Sequence, residues 1–463
     1  MRLRFDRGTL LFDDVPAGVD LGKIEGLRFD SRVRRWRARA CDRERILLSL
    51  IRGHIDVVDD TMRALGGPAP FPLPELRPYQ DQALDAWDAA HRRGVLVLPT
   101  GSGKTRIAIA AIARLAVRTL VIVPTRVLIE QWRAALFAAG ARNVGRYGDN
   151  YHEATAITVA TIESAWRHMP HLGDAFELLI IDEVHRCGGS ARSEALEMSL
   201  APFRLGLTAT LPPPEDAASA RIARLVGPAV HTLCIDDLAG QYLAPYDLVV
   251  VDVQLTRSER DSYDRAMQIF RMWADDQSFV EQELSFEQLA RLAYRTEEGR
   301  AAFVAFRTAQ RLLAYPREKR EALRRLLVEH RERKILVFTS ENRTAYDVAK
   351  EFLIPAITCD VTRGERANIL ERFRDGPVRA IVSSQVLNEG VDVPDADVAI
   401  VLGGRAGERE HIQRIGRVLR RVVGKRALVL ELVVPHSMEA RAGRRRRGAI
   451  ARSASRDMQS EGT

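Results

Sequence analysis

Leu96-Val97-Leu98-Pro99-Thr100-Gly101-Ser102-Gly103-Lys104-Thr105 is an apolar run that ends in a glycine-rich turn with Lys-Thr behind it. Residues 94–98 have the composition of a short buried parallel strand, and the apolar spacing of residues 106–115 predicts a helix. The turn therefore opens a helix. Glycines there let backbone N–H groups close on phosphate oxygens, and the positive end of the helix adds to the attraction. Thr100, Gly101, Ser102 and Gly103 form the cradle, Lys104 can reach β- and γ-phosphates, and the Thr105 hydroxyl suits a coordination place on Mg²⁺. A strict phosphate-loop pattern has Gly where Leu98 stands, so this turn is a variant of it.

Just upstream, Leu76-Arg77-Pro78-Tyr79-Gln80 opens another helix. A side-chain amide can pair with two adjacent edge atoms of adenine, which makes Gln80, supported by Arg77, a candidate base reader. Residues 66–74 hold so many prolines that they exclude helix or central strand and read as a linker. Residues 1–62 before it form a small unit, with a helix expected over Ala38 to Leu50 and a strand over Ile55 to Val58. Its cluster Arg32-Val33-Arg34-Arg35-Trp36-Arg37-Ala38-Arg39 suits phosphate contact plus base stacking, and equally suits a solvated β-ribbon.

Downstream, strands and helices alternate, which means a parallel sheet with helices on both faces and ligands at the carboxyl ends of the strands. Chemistry-bearing residues stand just after each apolar run. Leu178-Leu179-Ile180-Ile181 ends in Asp182-Glu183-Val184-His185, with Asp182 placed to hold Mg²⁺ and Glu183 to polarise an attacking water. Arg204-Leu205-Gly206-Leu207 ends in Thr208-Ala209-Thr210, whose hydroxyls can link a nucleotide site to a nucleic-acid strand. Thr125 and Arg126, after the run ending at Pro124, and Thr161, after Ile157 to Ala160, are candidates for the same coupling. An isolated acidic pair at a strand end is often only a helix cap. Three strand ends in the expected order are harder to dismiss.

Residues 258–313 are helical, charged and free of Pro, and they interrupt the start of a second α/β domain that resumes at Lys334-Ile335-Leu336-Val337-Phe338-Thr339. No second Gly-Lys-Thr loop follows, as expected where two such domains share one nucleotide. Residues 383–392 fit the nucleotide and nucleic-acid face, with Gly390 and Asp392 as nucleotide contacts. Gln413-Arg414-Ile415-Gly416-Arg417-Val418-Leu419-Arg420 sets Arg417 and Arg420 on one helix face. A γ-phosphate in transfer needs positive charge around its oxygens, which these arginines can supply, with Gln413 toward nucleic acid.

The formal charge is +8, of which the last 28 residues, with seven Arg and three acids, carry +4. This permits a polyanionic partner without proving one, because a charge run is usually a solvated face. No apolar run approaches the roughly 20 residues of a membrane helix, so the expectation is a soluble, cytoplasmic protein with no membrane partner. The four cysteines are scattered and fit buried thiols better than metal ligands.

The motif set resembles the superfamily-2 DNA helicases, and within them the XPB family in its compact archaeal and bacterial form. Leu76 to Gln80, Pro99 to Thr105, Asp182 to His185 (a DEVH box), Ala201 to Thr210, Phe352 to Thr358, Ala380 to Leu387 and Gln413 to Arg420 carry the resemblance. It implies an α/β fold with two RecA-like parallel-sheet motor domains, a small α+β N-terminal domain and an inserted helical thumb. The implied domains are a damage-recognition-like unit over 1–66, motor domains over 67–240 and 241–435 with the thumb at about 258–313, and a disordered basic tail over 436–463. Its implied activity is ATP- and Mg²⁺-dependent 3′-to-5′ unwinding of, or translocation on, duplex or forked DNA in repair, with a nuclease subunit as a possible partner. Two alternatives stand beside it, the motor subunit of a restriction or defence system and a non-hydrolysing nucleic-acid clamp. Family members carry Arg-Glu-Asp shortly after the Thr-Ala-Thr motif, and here the matching place reads Pro213-Pro214-Glu215-Asp216.

Overall fold

The computed structural model describes residues 1–16, 19–148, 151–276, 286–384, 396–403 and 426–444. The chain divides into two compact units, Met1–Cys234 and Ile235–Thr463.

The first unit is built on an eight-stranded sheet in the order 229–232, 93–97, 203–208, 178–182, 119–123, 157–161, 144–148, 151–153. Every neighbouring pair is parallel except the last, a hairpin. Strands such as Leu178–Asp182 and Thr119–Val123 are buried along their whole length, as continuous β-branched and leucine runs require when helices cover both faces. One face packs Trp87, Ile107, Ile112 and Trp132, and the other Met169, Phe176, Ile181 and Leu196. Because the strands run parallel, the glycine loop, Asp182 and Thr208 all emerge at the same edge.

The N-terminal residues form a five-stranded sheet in the order 28–30, 35–39, 9–13, 2–6, 58–60, with a helix over Arg43–Arg52. Sequence periodicity started that helix too early. Arg35–Arg39 is a strand, because Ala38 pairs with Leu10 across an antiparallel ladder that buries both. The strand expected over 55–58 lies instead at Val58–Asp60, in register with Arg2–Arg4. This sheet is seated on the motor sheet: Leu200 joins its core, Arg63 pairs with Asp174 at 2.5 Å, and Gly8 lies against the Met198 side chain where any Cβ would collide. Nearby, the fully buried Arg204 donates to the carbonyls of Leu196, Ser199, Ala201 and Leu225.

The second unit holds a six-stranded, all-parallel sheet in the order 246–252, 427–433, 398–401, 335–338, 380–383, 356–357. Helices Arg257–Asp276, Phe286–Ala293 and Glu297–Ala314 stand between its first two strands in sequence. The first and third pack through Tyr263, Ala266, Met267, Ala305, Ala309 and Leu313. The stretch read as a disordered tail from 436 is folded at its start: residues 438–444 are helical, and Ser437 and Glu439 are buried. Glu439 is drawn in by an ion pair that charge composition does not reveal. Among the described residues no helix is long and apolar enough to cross a membrane, and no group of three His, Cys, Asp or Glu side chains could hold a metal ion. The four cysteines are free thiols.

Candidate nucleotide and nucleic-acid site

The glycine turn is built as its sequence demands. Gly101 has φ +88° and Gly103 φ +80°, the left-handed region that only glycine enters cheaply, and the helix Lys104–Leu115 starts directly behind. Lys104 Nζ is held over the loop by the carbonyls of Leu98 at 2.9 Å and Pro99 at 3.2 Å. Thr100 and Thr105 flank the turn and are half-buried.

Gln80 lies against the glycine loop. It is buried, its Nε2 donates to the Ser102 carbonyl at 2.8 Å, and its Oε1 accepts from the Arg77 backbone at 2.9 Å. Tyr79 donates to the same Ser102 carbonyl at 2.6 Å. A Cβ at position 103 would lie 2.6 Å from Gln80 Nε2, so the amide and Gly103 are fitted to one another. In this arrangement Gln80 clamps the loop, its Oε1 fixed by the Arg77 N–H at the start of the helix and its Nε2 on the Ser102 carbonyl.

Asp182 ends its strand almost fully buried and accepts from Trp132 Nε1 at 3.0 Å. Burial, then the neighbouring Glu183, push its pKa up to about 6, against the Trp132 bond and Lys104, which favour the anion. Glu183 takes φ +52°, turning the chain into the short helical turn Val184–Gly188. His185 Nδ1 lies 2.9 Å from Thr208 Oγ1, whose proton goes to the Thr210 carbonyl at 2.8 Å. The imidazole therefore donates from Nδ1, and the Asp-Glu-Val-His turn is wired to Thr-Ala-Thr on the adjacent strand. Trp132 carried no sequence signal beyond helix amphipathicity; only the fold brings it to Asp182.

Four buried side-chain atoms at this edge have no hydrogen-bond partner: Ser102 Oγ, Thr125 Oγ1, Glu183 Oε2 and Thr210 Oγ1. Buried polar atoms are almost always satisfied, so a cluster of orphans at adjacent strand ends is the mark of groups waiting on a ligand. Their chemistry, two carboxylates and several hydroxyls beside a lysine and a helix N-terminus, fits phosphate with Mg²⁺. Thr125 begins the helix Arg126–Ala138 without bonding its backbone, and Arg126 is exposed at its first position. Thr161 is less available, since its hydroxyl caps the helix Ile162–Leu172 by accepting from Ser164 N at 3.2 Å. Gly390, Asp392, Gln413, Arg417 and Arg420 lie outside the described residues.

The arginine cluster near the N-terminus is largely spent on its own sheet. Arg32 pairs with Asp30, Arg35 with Asp13, Arg37 with Asp6 and Asp30, and Arg39 with Glu197. Trp36 packs on the small core, edge-on to Phe29.

A parallel sheet with a glycine loop, an acid pair and Thr-Ala-Thr at adjacent strand ends, followed by a second parallel sheet, is the build of a helicase-class motor. Family models for the type III restriction enzyme res subunit and the helicase conserved C-terminal domain match residues 73–213 and 318–422, and the Xeroderma pigmentosum group B helicase damage recognition domain matches residues 3–61. The chain belongs to the XPB family of superfamily-2 helicases. It is 36% identical to the DNA 3'-5' translocase XPB2 of Sulfurisphaera tokodaii over 96% of its own length and 99% of that protein. It is 32% identical to the DNA 3'-5' helicase XPB of Kineococcus radiotolerans, of which it spans 57%. In fold it is similar to the Hef helicase domain of Pyrococcus furiosus, with a TM-score of 0.51 at 18% identity over 79% of this chain and 96% of that one.

Proposed function

We propose that this protein is an ATP-driven DNA motor that translocates on duplex or forked DNA in the 3′-to-5′ direction in DNA repair, with its Asp-Glu-Val-His turn as the hydrolytic centre. The observation that carries the reading is the cluster of orphaned polar atoms beside Lys104 and Asp182. ATP with Mg²⁺ supplies the transferable phosphoryl group and the free energy. Lys104 and the N–H groups behind Gly103 bind phosphate oxygens, and Thr105 and Asp182 hold the metal. Glu183 takes the proton of the attacking water through its Oε2, which makes no hydrogen bond and has His185 Nδ1 at 3.4 Å beside it. Arg417 and Arg420 stabilise charge on the phosphoryl group in transfer. The His185–Thr208–Thr210 chain offers a route from this centre to nucleic acid on Thr125, Arg126 and Thr210. The relative matched over 99% of its own length is named a translocase, and the missing arginine before Glu215 favours translocation over unaided unwinding.

The test is ATP turnover with and without DNA for wild type, Lys104→Ala and Glu183→Gln. Lys104→Ala is expected to lose turnover and nucleotide binding while staying folded. Glu183→Gln is expected to keep binding and lose hydrolysis, because the amide is isosteric but cannot accept the proton. Turnover near the wild-type rate in either variant rejects the reading.

A further inference from the structure

Lys319 is the third residue of the helix Arg317–Glu329 and has no exposed surface. Its ammonium donates to both carboxylate oxygens of Glu439, at 2.7 and 2.9 Å, and to the carbonyls of Leu313 and Leu402, each at 2.9 Å. Glu439 Oε2 also accepts from the Val434 backbone at 3.2 Å. Gly403 closes the joint: its φ is +110°, and a Cβ there would lie 2.1 Å from Glu439 Oε1.

Each partner comes from a different element. Leu313 is in the last turn of the insertion's third helix, Val434 directly follows the strand Ala427–Val433 beside 398–401, and Leu402-Gly403 lead straight into residues 404–425, which contain Arg417 and Arg420. The insertion's first helix is tied to the same turn, with Tyr263 Oη accepting from Met438 N at 2.9 Å and Arg260 donating to the Pro435 carbonyl at 3.2 Å. A buried ion pair is a poor source of stability, because desolvation offsets most of its attraction, and a well-packed apolar pair often serves the fold as well. What it supplies is one allowed geometry among the groups it joins.

We propose that the Lys319–Glu439 pair is a positioning joint that couples the helical insertion to the arginine-bearing segment after Gly403, so that stimulation of ATP turnover by DNA passes through it. The inference rests on the reading of Arg417 and Arg420 given above. Neither Lys319 nor Glu439 touches nucleotide or DNA in this scheme; both act through Leu402 and the base of the insertion.

The discriminating variant is Lys319→Met with Glu439→Leu, which keeps volume and removes both buried charges together. In the full chain, the double variant is expected to melt cooperatively near the wild-type temperature and to keep DNA-free ATPase and the KM for ATP within about twofold. The DNA-stimulated kcat should fall at least fivefold, the low end of ordinary coupling free energies. If the double variant does not fold, Glu439→Asp, which keeps the buried charge compensated but shortens its reach and so alters the geometry of the joint, takes its place with the same readouts. Wild-type stimulation in a folded variant overturns the proposal, and so does a parallel loss of DNA-free and stimulated turnover, which is the mark of a simple buttress. Arg417→Ala separates the two layers: retained turnover there rejects the arginine reading, whatever the joint variants do.

Discussion

The N-terminal sheet and the carboxyl edge of the first motor sheet are both crowded with charged and polar side chains, yet they are opposite in one respect. On the small sheet nearly every charge has found a counter-charge within the fold. Asp13, which burial would push up, is held below the usual carboxylate range by Arg4 and Arg35, and Asp30 is held down chiefly by Arg32. At the motor edge the balance is reversed: Asp182 is pushed up, Ser102, Thr125 and Thr210 carry unanswered polar atoms, and Glu183 Oε2 makes no hydrogen bond, with His185 Nδ1 at 3.4 Å. The difference separates charge used for building from charge kept for a ligand, and residue type alone does not make that distinction.

The largest test of this contrast adds a third kind of charge, the arginines after Gly403. If Arg417 is kept for the phosphoryl group, Arg417→Ala should cut saturated ATP turnover by about 10³ with a much smaller change in nucleotide affinity. Single-turnover hydrolysis with a parallel binding titration measures both. A fall in affinity at unchanged rate makes it a ground-state binder.

Asp182 gives the next largest effect, and its sign is unusual for a carboxylate. Its folded pKa, about 6, lies above the ordinary 3.8, so between these values the native state keeps a proton that the unfolded chain releases. The stabilising contribution is therefore present at low pH and is lost as pH rises through about 6. Asp182→Asn, which mimics the protonated form and can still accept from Trp132, should stabilise the nucleotide-free protein by about 1–3 kcal/mol at pH 7.5 and by much less at pH 4.5. The same variant should abolish the Mg²⁺ dependence of nucleotide affinity. Denaturant melts at the two pH values check the first point, and destabilisation at pH 7.5 would place Asp182 with the paired charges of the small sheet.

Much of this was legible in the chain itself. The glycine loop, the acid pair and Thr-Ala-Thr follow short apolar runs that read as buried parallel strands in an alternating α/β pattern, and parallel strands deliver their ends to one edge. What was not legible depends on contacts distant in sequence. Gln80 reads as a free amide until the fold places Ser102 against it, and Trp132 reads as core until Asp182 arrives. Glu439 sits in an Arg-rich, small-residue stretch that looks like a tail, and only the burial of Lys319, 120 residues away, turns it into part of the core. Local propensity fails also at Ala38, where a ladder partner overrides a helical pattern.

The loop after Thr210 gives a moderate effect. Asp216 Oδ1 accepts from Ala218 N at 2.9 Å and caps the helix Ala217–Leu225, so one of the two acids in Pro213-Pro214-Glu215-Asp216 belongs to the building charges. Pro213, Pro214 and Glu215 are exposed, and the prolines hold φ fixed with no cation on offer. Opening duplex DNA costs about 1.4 kcal/mol per step, which a backbone grip alone does not offset. The wild-type protein should therefore displace strands poorly from a forked duplex despite DNA-stimulated ATPase, and Pro214→Arg should raise displacement several-fold at unchanged turnover. Efficient unaided displacement by the wild type would remove the argument.

The smallest effect is the sharpest check on the contrast, because it is an expected absence in a stretch that looks strongly basic. Arg35 donates to Asp13 at 2.9 Å with its side chain still about half exposed, so phosphate could in principle compete for it. Competition would have to replace a close ion pair by another contact of the same kind while leaving Asp13 with Arg4 alone, and the Asp13 carboxylate would then face the incoming phosphate. The exchange gains almost nothing. Arg35→Gln should thus leave DNA affinity within about twofold and the salt dependence of binding unchanged, while costing about 0.2–1 kcal/mol of stability, as an exposed pair does. A true phosphate contact behaves otherwise, since losing it flattens the log–log salt slope by about 0.9 on duplex DNA. Binding isotherms across a salt series distinguish the two, and a flattened slope with unchanged stability would move this sheet from the building charges to the DNA-binding ones.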